Sequence, residues 1–364
     1  MGRSIFGGRI AGLVVIACVA SLFACEQPNA VEAGRAATTV PVDSSAIALA
    51  EADQRIVNDP GNAALYAERS GLYEKRDSLG KAILDMERAV KLDSLNTENR
   101  IRVGDLYFRA IRVGNARDAF QRAVDLDPQN TRAKLRLAEV LMILREYPKS
   151  MALVNEALRI EPTAARGYYL KGFIHMETRD TTRALSSFRT AVEQDPQDFS
   201  SYVLLGKLSA ARHDALAEQY YSTAIDLRPT AVEAWYGKGL WAQDNGRDSL
   251  ALACYDRIKE IDPYNALAWH NSGWIKMEHL GDPQAAKADF SKAIDLNTNY
   301  ADAWYNRGVA MERTDQLDSA AANYQLCMGI DPSHMLAARA IDRLARQGVR
   351  IKMRERKGSP ASSR

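Results

Sequence analysis

Residues 301–332 read ADAWYNRGVAMERTDQLDSAAANYQLCMGIDP, and five spaced residues in this stretch decide the fold. They are Trp304, Gly308, Ala320, Tyr324 and Pro332. Trp304 and Gly308 lie four residues apart, as do Ala320 and Tyr324, a spacing that places each pair on one face of a helix. The proline ends the second helix, because its ring cannot continue the hydrogen-bond ladder. The stretch predicts two helices that pack closely through small residues and an aromatic residue.

The same pattern occurs eight times, at steps of 33 to 35 residues. Its first position is occupied by Tyr66, Arg100, Lys134, Tyr168, Tyr202, Trp235, Trp269 and Trp304. Four residues later come the small side chains Ser70, Gly104, Ala138, Gly172, Gly206, Gly239, Gly273 and Gly308. The large residue of the second helix is Met86, Phe120, Val154, Phe188, Tyr221, Tyr255, Phe290 or Tyr324. Eight copies in phase indicate a repeat architecture.

This periodicity resembles the tetratricopeptide repeat, a helix–turn–helix unit of 34 residues. The resemblance covers residues 63–332 and implies an all-α fold, a right-handed α-solenoid of about eight repeats that start near residues 63, 97, 131, 165, 199, 232, 266 and 301. We expect capping helices over residues 44–62 and 333–347, which a solenoid needs to stay soluble. Because Arg100 and Lys134 replace the aromatic residue of the first position, we expect the first helices of repeats two and three to pack less tightly.

Residues 1–24 have the anatomy of a secretory leader. Arg3 and Arg9 flank a short basic start, and the apolar run from Ile10 to Ala24 is too short to span a membrane. The leader ends in Leu22-Phe23-Ala24-Cys25, which resembles the bacterial lipobox. This resemblance implies cleavage before Cys25 and lipidation of its thiol. The alternative is an ordinary signal peptide followed by an incidental cysteine.

Two further segments flank the repeats. Residues 25–43 offer almost nothing to pack, and we interpret them as a flexible tether that spans roughly 23 Å r.m.s.. Residues 348–364 are interpreted as a basic, solvated tail, with binding of anionic lipid head groups by the polybasic segment from Arg343 as the alternative. With a lipid on Cys25, we expect the chain in the cell envelope, at the outer membrane and facing the periplasm. The inner membrane and the cell surface are the alternatives.

Composition and motifs argue against several classes of function. The chain has 48 Lys and Arg against 46 Asp and Glu, so it lacks the broad positive field of a general nucleic-acid binder. Four cysteines are too few for a disulfide scaffold. The five histidines lack metal-ligand spacing, and Gly237 and Gly239 match a dinucleotide fingerprint only within a predicted helix. We therefore predict no catalysis, no cofactor and no metal site.

The resemblance also implies where a partner would bind. In the tetratricopeptide-repeat family, ligands usually lie in a concave groove lined by the first helices, and Asn residues such as Asn271 and Asn306 often bond the backbone of a bound peptide. Carried over position by position, the groove would contain Leu135, Tyr169, Phe173, Met176, Val203, Lys207, Tyr236, Leu240, His270, Asn271, Trp274, Met277, Tyr305 and Asn306. The first two repeats offer charged residues instead, among them Glu74 and Asp105. The alternative for the aromatic residues is burial in the core.

The function that follows is a membrane-anchored adaptor of the bacterial cell envelope, which holds a protein or peptide partner in the groove. Two alternatives stay open. The chain could be a structural subunit of an envelope assembly or secretion complex that binds through convex surfaces. It could also be a periplasmic glycan-binding protein that stacks sugars on the aromatic residues. The oligomeric state does not follow from the sequence.

Overall fold

The computed structural model describes residues 44–350, and within that range the chain is entirely helical, with 18 α-helices and no β-strand. The described residues form two compact units, residues 44–178 and 179–350. No helix in this range is both long enough and apolar enough to cross a membrane. The predicted leader, Cys25 and the tether lie outside the described residues, as does the tail from residue 351 on. The fold confirms the predicted α-solenoid.

Unit 1 contains eight helices, which alternate between the first and the second helix of successive repeats after a leading helix, α1. They are α1 (Ser44–Asn58), α2 (Ala63–Lys75), α3 (Leu79–Leu92), α4 (Thr97–Arg109), α5 (Val113–Leu126), α6 (Thr131–Ile143), α7 (Tyr147–Ile160) and α8 (Ala165–Glu177). Several first helices start at an asparagine. The side chains of Asn96 and Asn130 accept hydrogen bonds from the backbone N–H groups of Asn99 and Ala133, which satisfies donors that the helix leaves unpaired.

Unit 2 contains ten helices in the same alternation. They are α9 (Thr181–Gln194), α10 (Phe199–Ala211), α11 (Leu216–Leu227), α12 (Val232–Asp244), α13 (Asp248–Ile261), α14 (Ala266–Glu278), α15 (Pro283–Leu296), α16 (Ala301–Glu312), α17 (Leu317–Ile330) and α18 (Met335–Arg346). Helix α18 packs on α17 through Ala337, Ala340 and Leu344.

The small residue of each first helix allows the close approach that the sequence predicts. A Cβ atom added at Gly104 would lie 2.5 Å from the Phe120 ring, and one added at Gly308 would lie 2.6 Å from the Tyr324 ring. Real Cβ atoms do not come this near to an aromatic carbon, so neither glycine can be replaced without movement. The rings of Phe120 and Tyr324 are completely buried. This contact between glycine and aromatic ring is common to both units.

The first position of the repeat has a second role besides packing. Trp235 Nε1 donates to the carbonyl of Pro229 at 2.9 Å, and Trp304 Nε1 donates to the carbonyl of Thr298 at 2.9 Å, six residues earlier in each case. Arg100 reproduces this bond through Nη2, which donates to the carbonyl of Ser94 at 3.2 Å. In these repeats the ring or guanidinium ties the first helix to the turn before it, whereas the buried Trp269 Nε1 has no hydrogen-bond partner among residues 44–350.

Lys134 does not loosen its helix, and our expectation for repeat three was wrong. Its side chain is only 7% exposed, and its Nζ donates to Glu156 at 2.6 Å. Nine residues of α6 are buried, more than in any other first helix of the described chain. A buried ammonium is tolerated here because the carboxylate on the partner helix neutralises it.

Each turn from a first to a second helix contains one residue with positive φ. In unit 2 two turns have glycine at this position, Gly246 and Gly281, and glycine adopts the left-handed conformation without steric penalty. The other turns of unit 2 have Arg179, His213 and Asp315. In unit 1 the position after α4 is held by Ile111, with φ of 59°. A β-branched residue is strained in this conformation. The Ile111 side chain is nevertheless 83% exposed, so no burial compensates the strain.

Candidate partner-binding surface

A chain of hydrogen bonds connects three neighbouring first helices of unit 2. Asn306 Nδ2 on α16 lies 2.9 Å from His270 Nε2 on α14. His270 Nδ1 lies 3.2 Å from Asn271 Oδ1, and Asn271 Nδ2 lies 3.4 Å from the Tyr236 hydroxyl on α12. We name Tyr236, His270, Asn271 and Asn306 the polar relay. It brings together four of the residues that the sequence assigned to the groove.

The relay fixes the protonation state of its histidine. Burial lowers the pKa of His270, which favours the neutral imidazole. The Asn306 side-chain amide donates to Nε2, so the single ring proton of His270 lies on Nδ1. From there it is donated to the side-chain oxygen Oδ1 of Asn271. The imidazole is enclosed by the Tyr300 ring, at 4.7 Å between centroids, and by the Phe290 ring at 5.6 Å.

Two polar groups at the ends of the relay have no further hydrogen-bond partner among residues 44–350. The Tyr236 hydroxyl accepts from Asn271 and retains its own proton for donation. The side-chain oxygen of Asn306 retains its accepting capacity, because only the amide nitrogen is used. One donor on α12 and one acceptor on α16 are therefore presented at the two ends of the relay, with α14 between them.

Aromatic rings lie on the same set of first helices. Trp274 is half-buried on α14 and meets the His279 ring edge-on at 4.9 Å. Tyr305 is half-buried on α16, between the rings of Tyr324 at 5.6 Å and His334 at 4.9 Å. Partial burial raises the pKa of Tyr305, so its hydroxyl stays protonated. Rings held in this way present rigid, partly apolar faces.

Two residues assigned to the groove lie beneath this surface and not on it. Met277 is 2% exposed and packs with Phe290 and Ala310, and His270 is 9% exposed. These two side chains support the surface, so our assignment of direct contact to them is corrected. The repeat spacing places residues on a helix face, but burial also depends on how closely the next helix packs.

The remaining predicted residues of unit 2 lie on α10 and α12. Val203 is partly buried against Phe199 and Ala224, Leu240 is half-buried, and the Lys207 side chain is exposed. The first-helix surface of unit 2 is therefore defined as the following exposed or half-exposed set: Val203, Lys207, Tyr236, Leu240, Asn271, Trp274, Tyr305 and Asn306.

The other predicted groove residues belong to unit 1. Leu135 is buried on α6, again a correction of the predicted direct contact. Tyr169, Phe173 and Met176 are half-buried on α8, where the rings of Tyr169 and Phe173 lie 6.4 Å apart. The Arg166 guanidinium lies 4.5 Å from the centre of the Tyr169 ring. These rings form an aromatic patch of unit 1.

Elsewhere on the first helices of unit 1, ion pairs dominate. Arg109 pairs with Glu74 at 2.6 Å, and Arg132 pairs with Glu98 at 2.8 Å, each between successive first helices. Asp105 accepts from both Arg132 and Arg136, at 3.0 and 2.6 Å. Glu139 on α6 pairs with Arg166 on α8. The charged character expected for the first two repeats therefore extends through unit 1. On this surface the acidic and basic side chains neutralise one another in ion pairs.

Sequence reasoning missed a depression at the other end of unit 2. It has a volume of about 330 Å³ and is lined by Tyr305, Val309, Glu312, Arg313 and Arg343. Arg343 lies on α18 and donates to Glu312 at 2.7 Å, so α18 packs like the first helix of a further repeat. The sequence offered a signal for this additional helix, because one more step of 34 residues from Gly308 leads to Asp342, next to Arg343.

Clusters of metal-binding side chains and exposed thiols are absent from the described residues. No group of three or more His, Cys, Asp or Glu side chains in residues 44–350 is arranged to hold a metal ion. Cys254 and Cys327 are free and buried, and burial raises their pKa to about 11 and about 12. Their thiols therefore stay protonated and unreactive near neutral pH.

Comparison with protein families agrees with this architecture. Models described as tetratricopeptide repeat match residues 108–172, 165–198, 210–266 and 279–333, together more than half of the chain. The chain belongs to the tetratricopeptide-repeat family. Among solved structures, the C-terminal part of a TPR repeat-containing protein from Cytophaga hutchinsonii covers 66% of this chain and 99% of that chain, with a TM-score of 0.56 and 18% identity. PilW, a widely conserved type IV pilus biogenesis factor, covers 58% and 98%, with a TM-score of 0.50 and 20% identity. At these identities the likeness shows the fold alone.

Curated relatives are similar only over a few repeats. Human protein O-mannosyl-transferase TMTC3 is 27% identical over 124 residues, which is 34% of this chain and 14% of that protein. Anaphase-promoting complex subunit 3 of Schizosaccharomyces pombe is 27% identical over 112 residues, which is 30% and 16% of the two chains. The chain thus spans less than a fifth of the length of these relatives.

Proposed function

We propose that this chain is a membrane-anchored adaptor of the bacterial cell envelope, which binds a segment of a partner protein on the first-helix surface of unit 2. The observation that carries the binding site is the pair of open polar groups, the Tyr236 hydroxyl and the Asn306 side-chain oxygen, on a set of first helices that also carries the half-exposed rings of Trp274 and Tyr305. Partly exposed aromatic residues beside unpaired polar groups are typical of binding surfaces.

The pair of polar groups suits the main chain of an extended segment. A peptide backbone presents carbonyl oxygens, which a tyrosine hydroxyl can bond, and N–H groups, which an amide oxygen can accept. The rings of Trp274 and Tyr305 would then contact apolar side chains of the same segment. Main-chain bonds contribute affinity, and the ring-lined positions contribute specificity.

The membrane part of the proposal is supported by the lipobox-like end of the leader at Cys25. Several acyl chains on one cysteine would give stable anchoring, because each buried methylene contributes about 0.8 kcal/mol. A short tether between Cys25 and the first helix would keep the repeats near the membrane surface.

The partner-binding proposal is tested by crosslinking in intact cells, followed by affinity purification and mass spectrometry. The test variant is Tyr236→Ala with Trp274→Ala, and the matched control is Tyr264→Ala, an aromatic residue that is 81% exposed on a turn away from the relay. We expect one partner to be lost from the double variant and retained in the control. Circular dichroism must show unchanged helicity in both variants.

Retention of every partner in the double variant contradicts the proposal and favours binding through convex surfaces. Binding of purified peptidoglycan strands without any protein partner contradicts it in favour of glycan recognition. The anchor is tested separately with Cys25→Ser, which should release the protein from membranes. If the Cys25→Ser protein still sediments with membranes after a salt wash, lipidation at this residue is wrong.

A further inference from the structure

The turns from first to second helices in unit 1 carry an unusual combination of charge and exposed apolar side chains. These turns, each with the last residue of its first helix, comprise residues 75–78, 109–112 and 143–146. We call them the turn edge of unit 1. Ion pairs join residues 34 or 35 positions apart, such as Glu74–Arg109 and Glu98–Arg132. These pairs align the ends of successive first helices. At about 10 Å between neighbouring helices, the three turns span roughly 20 Å.

The turn edge is basic, whereas the opposite edge of the same unit is acidic. Residues 75–78, 109–112 and 143–146 contain five Lys or Arg and two acids. The turns at the opposite edge, residues 58–62, 92–96, 126–130 and 160–164, contain four acids and no Lys or Arg. In unit 2 the turns equivalent to the turn edge, residues 211–215, 244–247, 278–282 and 312–316, contain six acids and three Lys or Arg. The positive edge is therefore a property of unit 1 and not of the repeat.

Several of these cations are available to an external anion. Among residues 44–350, no carboxylate forms an ion pair with Lys75, Arg112 or Arg145, and all three are exposed. Two apolar side chains lie among them, Ile111 at 83% exposure and Leu144 at 41%. Exposed cations around protruding apolar residues form a surface with two kinds of affinity, for negative charge and for apolar material.

The strained conformation of Ile111 strengthens this interpretation. Its φ of 59° presents a β-branched side chain to solvent at a position where glycine would relieve the strain. The folded protein gains no buried contact in return. Every first-to-second turn has one residue with positive φ, so the repeat fixes the backbone, and what is particular to this turn is an exposed β-branched side chain at that position.

The path of the chain places its N-terminal end at this edge. Helix α1 runs antiparallel to α2, because Asp53 pairs with Arg69 and Arg55 pairs with Glu68. At this register, Ser44 at the start of α1 lies level with the turn around Ser78. Only 18 residues separate Ser44 from Cys25. A lipid on Cys25 would therefore hold the turn edge, more closely than the opposite edge, near the membrane.

We propose that the turn edge of unit 1 lies on the anionic surface of the membrane in which Cys25 is anchored, with Ile111 and Leu144 at the level of the head groups. This inference rests on the proposed lipid anchor. Basic residues near an anionic bilayer each add to binding, and the attraction is screened by salt. The edge would thereby orient the repeats on the membrane, while the lipid supplies the attachment.

The orientation can be measured with two matched cysteine positions. Gly114 follows the turn edge, Gly61 lies on the opposite edge, and a side chain added at either glycine meets no atom within 4 Å. The full protein carrying Gly114→Cys or Gly61→Cys is isolated from cell membranes, labelled with an environment-sensitive fluorophore and reconstituted into vesicles. The vesicles contain phosphatidylcholine with or without phosphatidylglycerol, and quenching by spin-labelled lipid reports depth.

We expect several-fold stronger quenching at position 114 than at position 61, only in vesicles with phosphatidylglycerol and only at low salt. Arg112→Glu with Arg145→Glu should abolish the difference. Arg346→Glu with Arg350→Glu, which alters the basic segment at the other end of the chain, should leave it unchanged. Equal quenching at the two positions, or a difference that does not depend on the anionic lipid, overturns the proposal. Fluorophore self-quenching at position 114 in detergent also overturns it, because the edge would then pair with a second copy of the chain.

Failure of the anchor gives a different result. If Cys25 carries no lipid, the unsubstituted protein reacts with a maleimide at Cys25, which peptide mapping distinguishes from Cys18 of the leader, since Cys254 and Cys327 are buried. The same two positions are then compared in a Cys25→Ser background, added to the phosphatidylglycerol vesicles from solution. Selective quenching at position 114 would show that the turn edge binds the membrane without the lipid anchor. Its absence would overturn the membrane contact of the turn edge as well as the anchor.

Discussion

The first helices of the two units carry different chemistry on the same fold. In unit 1, neighbouring first helices are joined by ion pairs, for example Glu74–Arg109 and Asp105–Arg136. In unit 2, α12, α14 and α16 are joined by the amide and imidazole groups of the polar relay, and an ion pair, Glu278–Arg313 at 2.7 Å, joins the ends of α14 and α16. The repeat fixes where a first-helix residue lies, and it leaves the kind of group at that position free.

The difference decides which surface is open to a partner. Opposite charges that already pair across unit 1 must be separated before either can bind a ligand, and each exposed pair contributes only about 0.2–1 kcal/mol to stability. The polar relay of unit 2 satisfies its internal groups and still leaves the Tyr236 hydroxyl and the Asn306 oxygen available. A surface with spare hydrogen-bonding capacity is the better candidate for recognition.

The largest predicted effect tests the contact between glycine and aromatic ring that the two units share. Gly104→Ala in unit 1 and Gly308→Ala in unit 2 should each lower the free energy of unfolding by about 2 kcal/mol, because the added methyl group would overlap a fully buried ring. Denaturant unfolding followed by circular dichroism measures the change. Gly114→Ala is the control, since its Cβ would face open space and alanine favours the helix. If Gly104→Ala is as harmless as Gly114→Ala, the contact between glycine and ring does not limit the approach of the helices.

The next prediction compares the turns of the two units. Ile111→Gly should raise the free energy of unfolding by about 1 kcal/mol, because glycine removes the strain of positive φ and exposed isoleucine loses no buried contact. Gly246→Ile in unit 2 introduces the same strain and should lower stability by about 1–2 kcal/mol. Both are measured by thermal and denaturant unfolding. A destabilised Ile111→Gly protein would mean that the isoleucine side chain makes a stabilising contact after all.

Much of the fold could be predicted from the sequence, because the repeat encodes it in local terms. The small residues such as Gly104 and the rings such as Phe120 recur in phase, and each pair needs only its own two helices to pack. Lys134 shows the limit of this reasoning. Its burial depends on Glu156, a residue of the second helix that the repeat pattern does not constrain.

The candidate site was predictable only in part. The spacing correctly placed Tyr236, Asn271 and Asn306 on neighbouring first helices, because register follows from the repeat. It could not show that Met277 lies in the core, or that the Asn271 amide is already used by Tyr236. Both depend on side-chain conformations and on how closely adjacent helices pack, which one-dimensional periodicity does not specify.

The salt dependence of stability should differ between the first-helix surfaces of the two units. Asp105→Asn should lower the free energy of unfolding by about 1 kcal/mol at low ionic strength, because Asp105 accepts from two arginines in a half-buried setting. The loss should shrink in 1 M salt, where exposed charges are screened. Asn306→Ala removes a neutral hydrogen bond of the relay, so its effect should be similar at both salt concentrations. An Asp105→Asn effect that does not change with salt would contradict the ion-pair account of unit 1.

The last predicted effect concerns the pH dependence of stability and arises from His270 in unit 2. Because burial lowers the pKa of His270 in the folded state, the unfolded chain binds a proton first as the pH falls below about 6.5. The resulting loss of stability is absent above that pH and grows below it, by at most about 1.4 kcal/mol per pH unit. Tyr300 and Phe290 pack against the ring without charge, while Asp302 opposes the shift by favouring the protonated form. Urea unfolding at pH 7.5, 6.5 and 5.5 should show a smaller decline for His270→Gln than for the natural chain. Equal declines in the free energy of unfolding would show that the imidazole takes up its proton without disturbing the relay. The Tyr236 hydroxyl and the Asn306 side-chain oxygen would then not depend on a neutral histidine for their positions.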